Sequence, residues 1–310
     1  MISPSMRTAV RLGAAAALCG LLAGCGDRKK VPDRQFASPE AAAAALVAAA
    51  EQFNVPELKA ILGREGEALV SSKDTVADRN HATAFAAQAR EHLRLEFDST
   101  RTSAVLNVGA GDWPMPIPIV EADGKWYFEA SAGAEEVLRR RIGQNELDAI
   151  ALCRGYVEAQ REYARVRHDG ALVNQYAQRV ISTPGKRDGL AWRAADGTWQ
   201  GPVGEEIARY ISEGYTQRTQ PFHGYYFKIL KGQGPAAPLG AMDFMVKGAM
   251  IGGFALVAAP ADYGVTGIQT FIVSWEGVVY QKDLGDKTLE AFQALELYNP
   301  DSTWAPVEQP

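Results

Sequence analysis

Cysteine is scarce: there are three in 310 residues. Cys19 and Cys25 lie near the start, which leaves Cys153 alone in the body, so no disulfide can brace it. Histidine is scarcer still for a chain this long, with four scattered residues and no set spaced like metal ligands. No His-Glu-x-x-His, Gly-x-Ser-x-Gly, Ser-x-x-Lys, Cys-x-x-Cys or phosphate-cradling loop occurs, which removes the common hydrolase, redox and nucleotide-binding signatures. Positive charge is not in excess either. Lys and Arg total 32 against 37 Asp and Glu, a formal charge of −5. With no basic stripe, the composition speaks against nucleic acid as a partner and against electrostatic docking on anionic lipid. No apolar run approaches the roughly 20 residues that a spanning helix needs; Leu12 to Ala23 falls well short.

What the N-terminus does contain is specific. Arg7 and Arg11 precede that short apolar run, and Leu22-Ala23-Gly24-Cys25 ends it. A basic start, a short apolar core and small residues before a cleavage point describe a secretory signal. Leu-Ala-Gly-Cys resembles the lipobox of bacterial lipoproteins. The resemblance implies cleavage before Cys25, diacylglycerol on its sulfur and a further acyl chain, such as palmitate, on the new amino group. Two or three chains make a stable membrane anchor. An ordinary signal peptide with a chance cysteine is the competing reading. Gly26, where such lipoproteins carry Asp for inner-membrane retention, favours the periplasmic face of the outer membrane, and Asp27 weakens that preference. Residues 1–24 are thus expected to be a signal peptide and 25–37 a polar tether.

The body is organised around one long helix, expected from Ala134 to about Arg167. Leu138, Ile142, Ala149, Cys153, Tyr156, Val157 and Tyr163 share one face at 100° per residue, while Arg140, Arg141, Asp148, Arg154 and Glu158 fall opposite. Before it, Ser38-Pro39-Glu40 opens a helix to about Phe53. Pro56–Leu62 and Asp74–Leu93 give two more. Strands are expected over 95–98, 104–108, 115–120 and 125–129, the last after the Asp123-Gly124 turn. After it, a loop-rich stretch holds Trp192 and Trp199, and Gly204–Gly214 reads as a helix. Strands are expected over 224–230, 250–258, 269–274 and 278–283, with Gly252-Gly253 as a bulge or close backbone approach inside the second. A last helix covers 288–297. The fold class is α+β: two domains, 38–143 and 144–310, in which helices pack on antiparallel sheets and the long helix joins them.

The order of elements in 38–143 resembles the nuclear-transport-factor-2-like fold, whose sheet wraps a conical pocket. The second half resembles the globular part of type IV pilins and pseudopilins, through Ala159 to Tyr163, Thr183-Pro184-Gly185, Ala259-Pro260 and Tyr263-Gly264. A pilin's helix is an apolar membrane segment, whereas this one is internal and half charged, so a filament subunit is not implied. Over nearly all of the mature region the chain resembles a bacterial family catalogued as domain of unknown function 2950. Arg140 to Leu147, Pro184 to Leu190, Gly224 to Phe227, Met250 to Leu256 and Val279 to Gly285 carry that resemblance. It implies an exported envelope protein and carries no activity with it.

These features point first to a non-enzymatic, lipid-anchored periplasmic protein that binds an envelope partner or supports envelope organisation. The partner surface is expected at Arg140 and Arg141, although the triplet from Arg139 also reads as ion pairing with Glu135 and Glu136. The alternative is a small-molecule binder using a conical pocket lined from Phe53, Phe85, Trp113 and Trp126. A third reading is an enzyme of unrecognised type, for which His223 is the best lone imidazole and convergence with an acid in one cleft would be the sign. His168 reads as a cap on the end of the long helix, and Cys153 as a buried small hydrophobe. No cofactor or metal is implied.

Overall fold

A computed structural model describes residues 32–215 and 220–308. The signal segment, most of the tether and the lipidation expected at Cys25 lie outside the described residues. Helix α1 (Pro39–Glu51) begins as its sequence dictates: the Ser38 hydroxyl accepts from the Ala41 N–H at 3.2 Å, and Pro39 takes the first helical position. Helix α2 (Val55–Leu62) is capped by Asn54, α3 (Glu67–Val70) is one short turn, and α4 (Thr75–Glu91) is capped by Asp74. Strands β1 (Leu93–Phe97), β2 (Ser103–Val108), β3 (Trp113–Pro114), β4 (Ile119–Ala122) and β5 (Lys125–Phe128) follow. They form an antiparallel sheet in the order β1-β2-β4-β5, with β3 on β2. The strand expected over 115–120 shrinks to its C-terminal end, because Pro116 and Pro118 have no N–H to give a ladder. Leu46, Ile61, Leu106, Ile119 and Phe128 fill a first core between helices and sheet.

Helix α5 (Ala134–Tyr163) then runs unbroken for 30 residues. Gly143 does not split it; a lone glycine there costs about 1 kcal/mol against alanine. What changes near Gly143 is the packing. Val137 lies against the first core, and the Arg141 guanidinium donates to the Ala68 and Leu69 carbonyls at 2.8 and 2.6 Å. From Ala149 onward, Cys153, Tyr156 and Val157 belong to a second core. Asn145 sits at the changeover and donates to the Thr266 carbonyl at 2.9 Å. His168 does cap the helix end, its Nε2 3.0 Å from the Tyr163 carbonyl.

The ribbon β6 (Trp192–Arg193) and β7 (Trp199–Gln200) precedes α6 (Gly204–Ser212). Strand β8 (Tyr225–Leu230) is followed by two more ribbons, β9 (Gly232–Gln233) with β10 (Met242–Asp243), and β11 (Met245–Val246) with β12 (Ala249–Met250). Strands β13 (Ala255–Pro260), β14 (Gln269–Ser274), β15 (Val279–Asp283) and β16 (Ala305–Pro306) complete an antiparallel sheet in the order β16-β15-β14-β13-β8. Helix α5 packs on this sheet, as does α7 (Thr288–Ala294). The strand expected from Met250 starts only at Ala255. Gly252 and Gly253 precede it and are pressed against β10 and its exit: a Cβ on Gly252 would stand 2.7 Å from the Asp243 carbonyl, and one on Gly253 2.8 Å from the Phe244 ring. Close approach of the chain's own backbone at Gly252 and of the Phe244 ring at Gly253, not a bulge, explains the pair. Among the described residues no helix is long and apolar enough to cross a membrane.

Candidate functional site

The richest concentration of polar side chains lies where β8 begins. His223 and Gly224 both hold positive φ, +46° and +77°. Phe222 and Tyr225 exchange backbone hydrogen bonds at 2.8 and 3.0 Å around them. This is the φ signature of a type I′ turn. A histidine in the left-handed region needs support from its surroundings, and it has it. The Gly224 N–H donates to Asp74 Oδ2 at 2.8 Å, and Asn145 is packed so closely that a Cβ at 224 would stand 2.5 Å from its Nδ2. Asp74 is 1% exposed. It also accepts from the Ala77 N–H at 3.0 Å and from the Tyr215 hydroxyl at 3.1 Å. One buried carboxylate therefore ties α4, the turn and Tyr215 together. Burial and the Asp74 charge push the Tyr215 phenol far above its ordinary range, so it remains a donor.

The turn places the His223 imidazole between two acids. Nδ1 is 2.9 Å from Asp148 Oδ2 on α5, and Nε2 is 3.5 Å from Glu213 Oε2 just after α6. Phe222 stacks on the ring at 4.2 Å. Both ring nitrogens face carboxylates, which leaves neither free for a nucleophile, and among the described residues the ring's partners include no serine, threonine or cysteine. Cys153 is no substitute, for it is fully buried and its thiol is pushed up to about 12 by that burial.

His223 stands at one end of a cleft of ≈ 1040 Å³. Leu152 and Ala159 of α5, Ile207 and Ile211 of α6, and Tyr226 and Phe227 of β8 give it an apolar lining. The basic groups on its rim are already engaged. Arg179 pairs with Asp188 at 3.6 Å, Arg209 with Glu213 at 3.9 Å, and the Lys228 ammonium donates to the Phe292 and Gln293 carbonyls at 2.7 and 3.1 Å. The carboxylates of Glu162 and Glu206, which also line the cleft, have no ion-pair or hydrogen-bond partner among the described residues. The space is thus apolar with unpaired negative charge at its rim.

The other residues singled out from the sequence lie elsewhere. Trp113 is 61% exposed, with the Arg140 guanidinium 5.5 Å from its ring centre. Arg140 also pairs with Glu136 at 2.8 Å, and Arg139 with Glu135 and Glu136. Arg141 leaves this group and turns inward to cap α3. Trp126 lies in β5 against the first core, edge-to-face with Phe97 at 6.3 Å. Phe53 and Phe85 pack on that core too, whereas Trp113 stands at the surface. The first half carries instead a groove of ≈ 360 Å³ beside Phe97, Asn107 and Pro114. Among the described residues no cluster of His, Cys, Asp and Glu is able to hold a metal ion.

Asp74, Asp148 and Glu213 were not singled out from the sequence. Asp148 falls on the charged face of α5, where solvent is the ordinary expectation. The usable signal was the His-Gly pair before a strand, which marks a tight turn and fixes where the imidazole points. Comparison of the chain with curated proteins and with solved structures gives no match. One family matches residues 33–307, from just before the first helix to just past the last strand. Over that whole length, the chain belongs to the family described as protein of unknown function (DUF2950).

Proposed function

We propose that this is a non-enzymatic binding protein, held at the periplasmic face of a membrane by lipidated Cys25, and that the cleft beside α5 receives its partner. The observation that carries the reading is the cleft: it is large, apolar-walled and rimmed by acids that no ion pair among the described residues neutralises. The lipobox-like Leu22-Ala23-Gly24-Cys25 supports the anchor, and Gly26 supports the outer membrane. A photo-crosslinking amino acid at Leu152, within the cleft, is expected to give discrete protein adducts in intact cells. The same group at the exposed Leu172 is expected not to. Identical adduct patterns from both positions, or none from Leu152, would remove the binding reading. The anchor is tested separately: Cys25→Ser is expected to leave the membrane fraction.

A second reading has an observation of its own. His223 and Asp148 meet in the cleft, with Glu213 3.5 Å from the imidazole, and such a meeting is the sign expected of an acid–base enzyme. The engagement of both ring nitrogens weighs against it. His223→Gln keeps the turn and one hydrogen bond, so binding should persist in this variant, whereas an acid–base enzyme would lose turnover.

A further inference from the structure

The cleft has an edge as well as walls. In an antiparallel pair, residues alternate between those that exchange both hydrogen bonds with the partner strand and those whose N–H and C=O point away. Three contacts fix this phase on β8. The Gly224 carbonyl accepts from Ala261 N–H, on the β13 side, at 2.8 Å. Tyr225 turns the other way and exchanges both of its bonds with Phe222. Lys231, also outward, accepts from the Phe244 N–H at 2.9 Å. Hence Tyr226, Lys228 and Leu230 bond to their partners Ala259, Val257 and Ala255 on β13. The N–H and C=O of Phe227 and Ile229 point outward, and no hydrogen bond reaches them from the described residues. The outer edge of β8 is therefore closed at both ends and open in the middle. The open stretch, residues 226–230, spans about 17 Å at ~3.3 Å per residue. Phe227 lies in the lining of the cleft.

We infer that the partner enters this cleft as an added strand, an extended polypeptide segment whose backbone pairs with Phe227 and Ile229 and whose side chains are alternately apolar and basic. The inference rests on the reading of the cleft as a binding site and names the chemistry of what fills it. Unpaired edge groups are the main-chain complement of an extended peptide, and protein recognition uses them in this way. The closures at Tyr225 and Lys231 limit the guest to a short segment. The apolar walls take side chains on one side of that segment, and the unpaired Glu162 and Glu206 suit basic ones. Among the described residues the cations that line the cleft are engaged, which does not suit an acidic guest.

The probe is an acetylated, amidated octapeptide of alternating valine and lysine, titrated against the Cys25→Ser chain with hydrogen exchange as readout. In the free protein, the Phe227 and Ile229 amides should exchange faster than those of Tyr226, Lys228 and Leu230. Saturating peptide should slow Phe227 and Ile229 at least tenfold. A copy of the peptide N-methylated at alternate amides should bind at least tenfold more weakly. Ile229→Pro should weaken the unmodified peptide similarly; it removes an outward N–H and leaves the β13 ladder intact. If that variant does not fold, the methylated peptide carries the test alone. Equal binding of the two peptides, with exchange at Phe227 and Ile229 unchanged, would overturn strand addition while leaving a cleft that binds by its walls. No binding of either peptide would overturn it as well, and the crosslinking from Leu152 would still judge the cleft. A concentration-dependent dimer abolished by Ile229→Pro would give the edge to a second copy of this chain, and that too would overturn it.

Discussion

Two of the molecule's two-residue turns with positive φ at both positions stand in opposite surroundings. Asp123-Gly124 joins β4 to β5 with φ of +52° and +74°, and His223-Gly224 leads into β8 with +46° and +77°. Around Gly124 there is open space: a Cβ there would meet nothing within 4 Å. Around Gly224 there is none, with Asn145 and Thr266 both closer than 3 Å to that position. The sheet edges repeat the contrast. In the first half, Phe36 pairs with Trp126 and closes β5 at 2.8 and 2.9 Å, while Arg94 and Glu96 place charge along β1. In the second half, β8 is closed at its ends only. One half has β5 covered and β1 charged; the other spends buried polar contacts on holding a turn, and leaves an edge and a cleft open beside it. The proposed binding site in the second half rests on that division more than on any single residue.

The largest effect should come from untying the turn. Asp74→Ala leaves the Gly224 N–H, the Tyr215 hydroxyl and the first turn of α4 without their acceptor, and removing one member of a buried polar set costs on the order of 3–5 kcal/mol. Chemical denaturation measures it, and a cost below about 1 kcal/mol would show that the carboxylate does not hold the turn. The two glycines come next. Gly224→Ala combines a left-handed φ with a clash and should cost about 2–4 kcal/mol, against about 1 kcal/mol for Gly124→Ala, where φ alone objects. Equal costs would erase the contrast between the turns.

The contrast also explains what could be read from the sequence. Local chemistry was legible: Ser38 as a cap, Asp123-Gly124 as a hairpin turn and the apolar stripe of α5 all follow from neighbours within a few residues. β14 is found where its β-branched run places it, at Gln269–Ser274. Elements defined by distant contacts were not legible. Gly252 and Gly253 lie outside the strand because β10 and Phe244 crowd them. Arg141 leaves the charged face because α3 needs its last carbonyls satisfied. The site is of the second kind. His223 stood out as an imidazole, but Asp148 lies 75 residues from it in sequence, and Asp148 was indistinguishable from any solvated acid on a helix. The open edge of β8 depends on which residues face β13, and a strand's own sequence does not contain that phase.

A pH profile sharpens the same comparison on the first-half side of the junction. Asp78, behind Asp74 on α4, is held above its ordinary range chiefly by burial, which outweighs the donors from Ser72 and the charge of Arg141. A carboxyl raised on folding binds its proton more tightly in the folded state. Below the ordinary value of roughly 3.9 it is protonated in both states and adds no pH dependence. As pH climbs from there through the raised folded value, the unfolded chain releases the proton first and stability falls; above that value the loss is constant. Asp78→Asn removes this component. The stability of the native chain minus that of the variant should therefore decrease with rising pH across this window and then level off. A difference that increases would mean that the Ser72 hydrogen bonds dominate, and that the acid is a tie like Asp74 instead of a cost.

The smallest effect should be at Arg140, and it tests whether the first half is as closed as its edges suggest. Its guanidinium lies over the exposed Trp113 and pairs with Glu136, both at the surface. Exposed ion pairs and cation–π contacts contribute about 0.5 kcal/mol each, so Arg140→Ala should lower stability by no more than about 1 kcal/mol. If the cleft is where the partner binds, the adducts formed from Leu152 in cells should be unchanged in this variant. Their loss, with stability intact, would mean that Arg140 and Trp113 form a docking patch of their own. The partner would then span both halves, and the long helix α5, which carries Arg140 near one end and Leu152 in the cleft, would be the surface that aligns it.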